Sequence, residues 1–249
     1  MVLYRMGNKQ RIVHRILPFI PPHQLWIEPF FGTGAMLWAK PRTRSIVNDR
    51  DSEVFNLFCV IQDQEHELQD AWCAMPIHED LWKHWRRHCP TDPVQRAVRF
   101  LFQSNFSFLG KGGTLVWNRK NAKRLLQDRI KQTRELLYDV EFMNVDFRCM
   151  LGRIPLSKGD RRGALIYCDP PYLDTANNYG MASAWNEGDT RDLLAMLASS
   201  GMRFAMSEFD HPTVLKLAKE HGLQVVTIGD RHNLRNRRTE ILVCGGFTA

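Results

Sequence analysis

The chain has no apolar run approaching the 18 residues that a membrane-spanning helix needs, and its start lacks the basic-then-apolar pattern of a secretory leader. A cytoplasmic protein with no membrane partner is therefore expected. Its six cysteines stand at 59, 73, 89, 149, 168 and 244 without a C-x-x-C pair, so reduced and mostly buried thiols are expected in place of disulfides. His84 and His88 lie four apart with Cys89 adjacent, but no second pair completes a ligand set, and no metal is expected. The glycine turn Gly32-Thr33-Gly34 is not followed by Gly-Lys-Ser/Thr, which excludes a P-loop. Leu37 stands where a dinucleotide fingerprint would carry its third glycine, which counts against a nicotinamide-dependent oxidoreductase.

What is present is a globular composition, 44% apolar and 24% charged over 249 residues, enough for one domain or one domain with an insertion. The net charge of +7 is concentrated. From Lys83 to Lys131 there are twelve Lys and Arg against two acids, Asp92 and Asp128, while the remainder of the chain is slightly negative. Trp85, Phe100, Phe102, Phe106, Phe108 and Trp117 are interleaved with those cations, a pattern that favours a polyanion over a merely solvated face. Over residues 63–138 the strand signal fades and helices are expected at 78–88, 93–102 and 122–137. Strand patterns occupy the flanking segments.

One of those strands organises the rest. Ala164, Leu165, Ile166 and Tyr167 form a short unbroken apolar run, as a strand buried on both faces does, and the run stops at Cys168-Asp169-Pro170-Pro171-Tyr172. Two adjacent prolines continue neither strand nor helix, so Asp169 lies at a strand's carboxyl end, where open α/β sheets bind ligands. A carboxylate, a carbonyl and an aromatic face held in one pose suit a flat base bearing an exocyclic amine. Asp169 and the Pro170 carbonyl would accept the two amine protons while Tyr172 stacks. Drawing on both protons would push the nitrogen toward a nucleophilic, tetrahedral geometry. A strand-terminating turn with a half-buried tyrosine is the plainer alternative.

Asp169-Pro170-Pro171-Tyr172, preceded by Glu28-Pro29-Phe30-Phe31-Gly32-Thr33-Gly34 and by Gly7-Asn8-Lys9-Gln10, resembles the Dam-type DNA adenine methyltransferases of bacteria and phages in motif order and spacing over nearly the whole chain. The resemblance implies an S-adenosylmethionine-dependent, Rossmann-like α/β sheet with a reversed final strand, formed by residues 1–62 and 139–249. It implies that residues 63–138 are a mostly helical insert that recognises double-stranded DNA. Asp169, Pro170 and Tyr172 would be catalytic, with Asp169 also beside the methyl donor. Gly7, Lys9, Glu28, Pro29, Phe30, Gly32 and Gly34 would line the donor pocket, the glycine turn wrapping the donor's methionine part. Asp146 and Phe147 would meet the donor's adenine, although Asp146 also fits a helix cap.

Asp49, at the end of the second strand, is placed to accept from both ribose hydroxyls; helix capping competes, and Asp51 suits the cap better. Arg99, Asn105, Lys111, Arg119, Lys120 and Arg124 in the basic stretch, with Arg235, Arg237 and Arg238 near the end, are the candidate DNA contacts. A cognate restriction nuclease is a conceivable partner. Two other activities fit the same motif, methylation of an RNA adenine and methylation of a cytosine amine in DNA; DNA binding without catalysis is a further alternative, but its signature would be a damaged motif and Asp169 to Tyr172 are intact.

Overall fold

The computed structural model describes residues 1–3, 9–107, 113–116, 121–175, 185–232 and 237–248, the side chains of 231, 232 and 237 excepted. In chain order these form α1 (Val13–Ile16), β1 (Leu25–Glu28), α2 (Ala35–Ala39), β2 (Arg44–Asn48), α3 (Ser52–Asp63), α4 (Glu65–Ala74), α5 (Glu79–Arg87) and α6 (Pro93–Asn105). There follow α7 (Ala122–Leu136), β3 (Val140–Met143), α8 (Phe147–Arg153), α9 (Lys158–Gly163), β4 (Ala164–Cys168), α10 (Glu187–Ser199), β5 (Arg203–Phe209), α11 (Pro212–Glu220), β6 (Gln224–His232) and β7 (Arg237–Gly245).

The seven strands run in the order β3-β2-β1-β4-β5-β7-β6. β1 is parallel to both β2 and β4, and β4 is parallel to β5, whereas β7 enters antiparallel between β5 and β6. The reversed final strand expected from the sequence is present. After β1 the chain moves outward to β2 and β3, then returns to place β4 on the opposite side of β1. The order therefore reverses between β1 and β4, and connections leaving those two carboxyl ends diverge and open a crevice. Asp169 follows β4 directly.

Two compact units divide the chain. Ile12–Phe31, Pro41–Arg50 and Met143–Ala249 form the unit that carries the sheet, apart from the first three residues of β3. β1 and β4 are buried at every position, β4 as an uninterrupted apolar run and β1 as three apolar residues ending in Glu28. Their inward residues Ile27, Ala164 and Ile166 join Met206 and Val243 of β5 and β7 and Leu193, Leu194 and Leu217 of α10 and α11 in one core. Each fully buried Leu or Ile contributes roughly 1.5–3 kcal/mol, so this strand set is the stable part on which the loops are mounted.

Met1–Arg11, Gly32–Lys40 and Asp51–Phe142 form the other unit, which holds α2 to α7. Three of its helices, α3, α5 and α6, start at side-chain caps: Asp51 accepts from Glu53 N, His78 from Leu81 N, and Asp92 from Gln95 N ahead of Pro93. Its core is aromatic. Trp82 and Trp85 meet Phe102 edge-on at 5.4 and 5.8 Å, and Phe106 lies 5.4 Å from the same ring. Trp85, Phe100, Phe102 and Phe106, whose interleaving with cations favoured a polyanion partner, are thus core residues of this unit. Phe108 and Trp117 lie outside the described residues.

Residues 158–163 form α9, started by a reciprocal capping box between Ser157 and Asp160. His211 caps α11 through Nδ1. β6 and β7 extend toward each other until His232 pairs with Arg237, so Arg231, Arg237 and Arg238 belong to paired strands.

Gly245 closes β7 where there is no room for a side chain. A Cβ there would lie 2.3 Å from Phe204 Cε1, on a ring that is itself buried in the core. Gly245→Ala is expected to destabilise the protein by about 1–3 kcal/mol, read as a lowered denaturant midpoint with an unchanged slope.

Candidate active site

The carboxyl ends of β1, β2, β4 and β5, and the turn after β3, carry the polar residues of the sheet unit. Asn48 ties three of them together. It is buried at 1% exposure; its Nδ2 donates to Pro29 O at 3.0 Å and Val145 O at 3.1 Å, and its Oδ1 accepts from Val145 N at 2.9 Å. The turn after β1 and the turn after β3 are thereby locked to β2. Asp49 follows, half-buried, its backbone fixed by Asp49 N to Met143 O at 3.2 Å and by Asn144 Nδ2 to Asp49 O at 2.7 Å.

Asp146 caps α8, its Oδ1 accepting from Arg148 N at 3.0 Å, and it also pairs with Arg50 and Arg148 at 3.5 and 3.3 Å. The capping alternative read from the sequence is therefore realised. Arg148 reaches onward to Asp189 and Asp192 at the start of α10, at 2.6 and 2.7 Å. Beside this ion network stand three rings. Phe30, leaving β1, lies 5.4 Å from Phe147, and Trp185 meets Phe30 edge-on at 5.6 Å and Phe147 at 5.5 Å. Trp185 is held by its Nε1 bond to Thr190 Oγ1 at 2.9 Å.

Around Asp169 the structure buries acidic groups. Glu28, Glu208 and Glu240 are each at most 2% exposed. Burying a carboxyl group is costly unless donors meet it, and donors are present. Trp26 Nε1 donates to Glu28 at 2.8 Å, Phe209 N and Leu173 N donate to Glu208 at 2.8 and 3.4 Å, and Tyr172 Oη donates to Glu240 at 2.5 Å. Tyr172 is buried, with its ring edge-on to Phe209 at 4.7 Å. Burial, then the charges of Asp169 and Glu240, hold its phenol well above the ordinary range, so it stays protonated and donating. Cys168 is raised in the same direction by burial, Glu28 and Asp169, which leaves a protonated thiol with no nucleophilic role beside Asp169.

Other candidates fall elsewhere. Lys9 is buried in a single 3-10 turn, Lys9–Arg11, of the helical unit. Gly32 and Gly34, in that unit's turn before α2, have φ of 56° and 71°. A Cβ on Gly32 would meet nothing, so its requirement is conformational, a left-handed backbone that glycine adopts freely. Gly7, Lys111, Arg119, Lys120 and Arg235 lie outside the described residues, as does the side chain of Arg237.

Among the DNA candidates, Arg99 donates to Trp85 O at 2.8 Å and pairs with Glu53, while buried Asn105 donates to Val2 O and Leu101 O at 2.9 and 3.0 Å. Both hold the helical unit together. Arg124 is exposed on α7, together with Arg129 and Lys131, and Lys83, Arg86 and Arg87 are exposed on or beside α5. Sequence reasoning did not single out Asn48, Glu208, Glu240 or Trp185. A polar residue at or next to the end of an otherwise buried strand was the available signal for Asn48 and Glu208, whereas Glu240 lies inside β7.

These observations can be set beside known proteins. The D12 class N6 adenine-specific DNA methyltransferase family profile matches residues 6–227. The Type II methyltransferase M1.LlaDCHI of Lactococcus lactis subsp. cremoris is 24% identical over 264 residues, which cover 95% of this chain and 92% of the relative. The DNA adenine methylase of Salmonella typhimurium is 24% identical over 260 residues, 95% of this chain and 91% of that one. Among solved structures, the SAM-bound magnesium protoporphyrin IX methyltransferase of Synechocystis PCC 6803 covers 95% of this chain and 79% of its own at 10% identity and a TM-score of 0.41, too slight a likeness to bear on function. The family match spans most of the sequence; on it, the chain belongs to the D12 class of N6 adenine-specific DNA methyltransferases.

Proposed function

We propose that the chain moves a methyl group from S-adenosylmethionine to the exocyclic amine of an adenine flipped out of duplex DNA, and that Asp169, Pro170 and Tyr172 grip that base. The observation that carries this reading is the position of Asp169-Pro170-Pro171-Tyr172 immediately after β4, at the β1/β4 reversal of strand order. Two prolines fix consecutive φ angles there, so the acceptors are set before the base arrives and little ordering entropy is lost on binding. Asp169 and the Pro170 carbonyl accept from the amine's two protons. That draws the nitrogen lone pair out of the ring and directs it at the electrophile. The donor, a sulfonium, supplies a methyl group that needs no metal for activation.

The residues of the sheet unit fit such a donor. Asp49 offers a carboxylate to the ribose hydroxyls, Phe30 and Phe147 offer apolar faces to a planar base, and Glu28 and Pro29 end the strand beside them. By family resemblance, Gly7, Lys9, Gly32 and Gly34 are further donor-binding candidates. Taking the base from the duplex costs roughly a few kcal/mol of unstacking, offset by contacts in the pocket. In this reading residues 63–138 recognise the DNA, the exposed cations of α5 and α7 meeting phosphates and giving affinity that falls with salt. The compartment required is the cytoplasm, where the DNA is. A cognate restriction nuclease is the one protein partner the reading invites, on the Type II name of the lactococcal relative.

Asp169→Ala is expected to lower single-turnover methylation by at least about 10²-fold, the scale lost with a positioned acid-base group, with donor affinity by calorimetry little changed. Full activity in that variant would remove the proposed grip. Asp49→Ala should do the converse, weakening donor binding while the rate at saturating donor largely holds; an unchanged affinity would take Asp49 out of the site.

The raised phenol of Tyr172 fixes a pH expectation. Its folded-state pKa lies above the ordinary 10.0, so the contribution of the protonated form is complete below that value and is lost only as pH rises through the higher one. Wild type and Tyr172→Phe should therefore share one pH profile up to about pH 10, and an alkaline fall below that, absent from the Phe variant, would contradict the assignment.

A further inference from the structure

Arg238 stands at the basic start of β7, where its charge alone suggests a phosphate contact. Its surroundings give it different work. Nη1 donates to Leu173 O at 3.2 Å and Nη2 donates to Asp174 O at 3.1 Å, so the two ends of one guanidinium span two consecutive carbonyls of the turn that follows Tyr172. The same guanidinium lies over the Phe209 ring, 5.3 Å from its centroid, and Phe209 is the ring against which Tyr172 packs edge-on.

The turn is held from its other sides as well. Leu173 N donates to buried Glu208, Tyr172 Oη donates to Glu240, two residues beyond Arg238 on the same strand, and Thr175 Oγ1 donates to Tyr172 O at 2.7 Å. Asp174 adopts a left-handed φ of 53°, which aspartate tolerates better than most non-glycine residues, and its Oδ2 lies 3.1 Å from His211 Nε2.

We propose that Arg238 is a positioning residue for methyl transfer: its planar fork clamps the Leu173–Asp174 turn and, through Phe209, the ring of Tyr172, and so fixes the pose of Asp169 to Tyr172. The proposal rests on the reading of those residues as the base grip. A lysine keeps the charge but presents one point of donation in place of two fixed ones, so it cannot make both carbonyl bonds in the same geometry.

Arg238→Ala and Arg238→Lys separate this role from a phosphate contact. If Arg238 is a clamp, both variants lose about 10- to 100-fold in the single-turnover rate at saturating donor and DNA, while donor affinity and the slope of log DNA affinity against log salt stay at wild-type values. If it is a phosphate contact, Arg238→Lys retains most of the rate and Arg238→Ala flattens the salt slope by about one, which overturns the proposal. Hydrogen exchange at the amides of residues 172–175 tests the clamp with no reference to activity. Loss of protection in both variants supports it, and protection equal to wild type in Arg238→Lys overturns it, even were the wild-type protein to methylate no polymer offered.

Discussion

Glu28, Glu208 and Glu240 are carboxyl groups withdrawn from water, and each would weigh against the folded state if the groups around it did not donate. Their donors are the indole of Trp26, two backbone amides and the phenol of Tyr172. An apolar core built for stability alone would carry leucine at such positions. Here two of the acids instead fix neighbours of Asp169, Glu208 through the amide after Tyr172 and Glu240 through the Tyr172 hydroxyl, while Glu28 holds the Trp26 indole on its own strand. The polar site and the apolar sheet are thus one construction, in which strong burial of β1 and β4 tolerates the acids and the acids set the loop.

The sheet topology decides where this happens. Reversal of strand order between β1 and β4 brings the turn of Glu28-Pro29-Phe30 and the turn of Asp169-Pro170-Pro171 to adjacent strand ends, although 141 residues of sequence separate Glu28 from Asp169. Asn48 then joins the ends of β1, β2 and β3 with three hydrogen bonds from one side chain. Leaving those partners unmet would cost about 1–3 kcal/mol for each buried group. The rigidity expected of a site that holds a small base in one orientation follows from these bonds.

Much of this was legible in the sequence because short-range rules govern it. The all-apolar run 164–167 could only be a buried strand, two prolines could only end it, and the order of the three motifs pointed to the family. The reversed strand followed from that resemblance. What was not legible depended on partners remote in the chain. Nothing local marks Glu240 as the acceptor for Tyr172, 68 residues away, or Trp185 as a neighbour of Phe30. The aromatic residues among the cations read as a nucleic-acid surface, yet Trp85 and Phe102 pack on each other inside the helical unit. Composition cannot distinguish an aromatic that faces a base from one that faces another aromatic; only the helix faces can.

The central claim is that Asp169, Pro170 and Tyr172 act on the amine of adenine in double-stranded DNA. Incubation of the protein with labelled S-adenosylmethionine and matched duplex DNA, single-stranded DNA and RNA, followed by mass spectrometry of the released nucleosides, tests it most directly. The account predicts N6-methyldeoxyadenosine from the duplex. Methylated cytosine, or methylated adenosine from RNA alone, would contradict it.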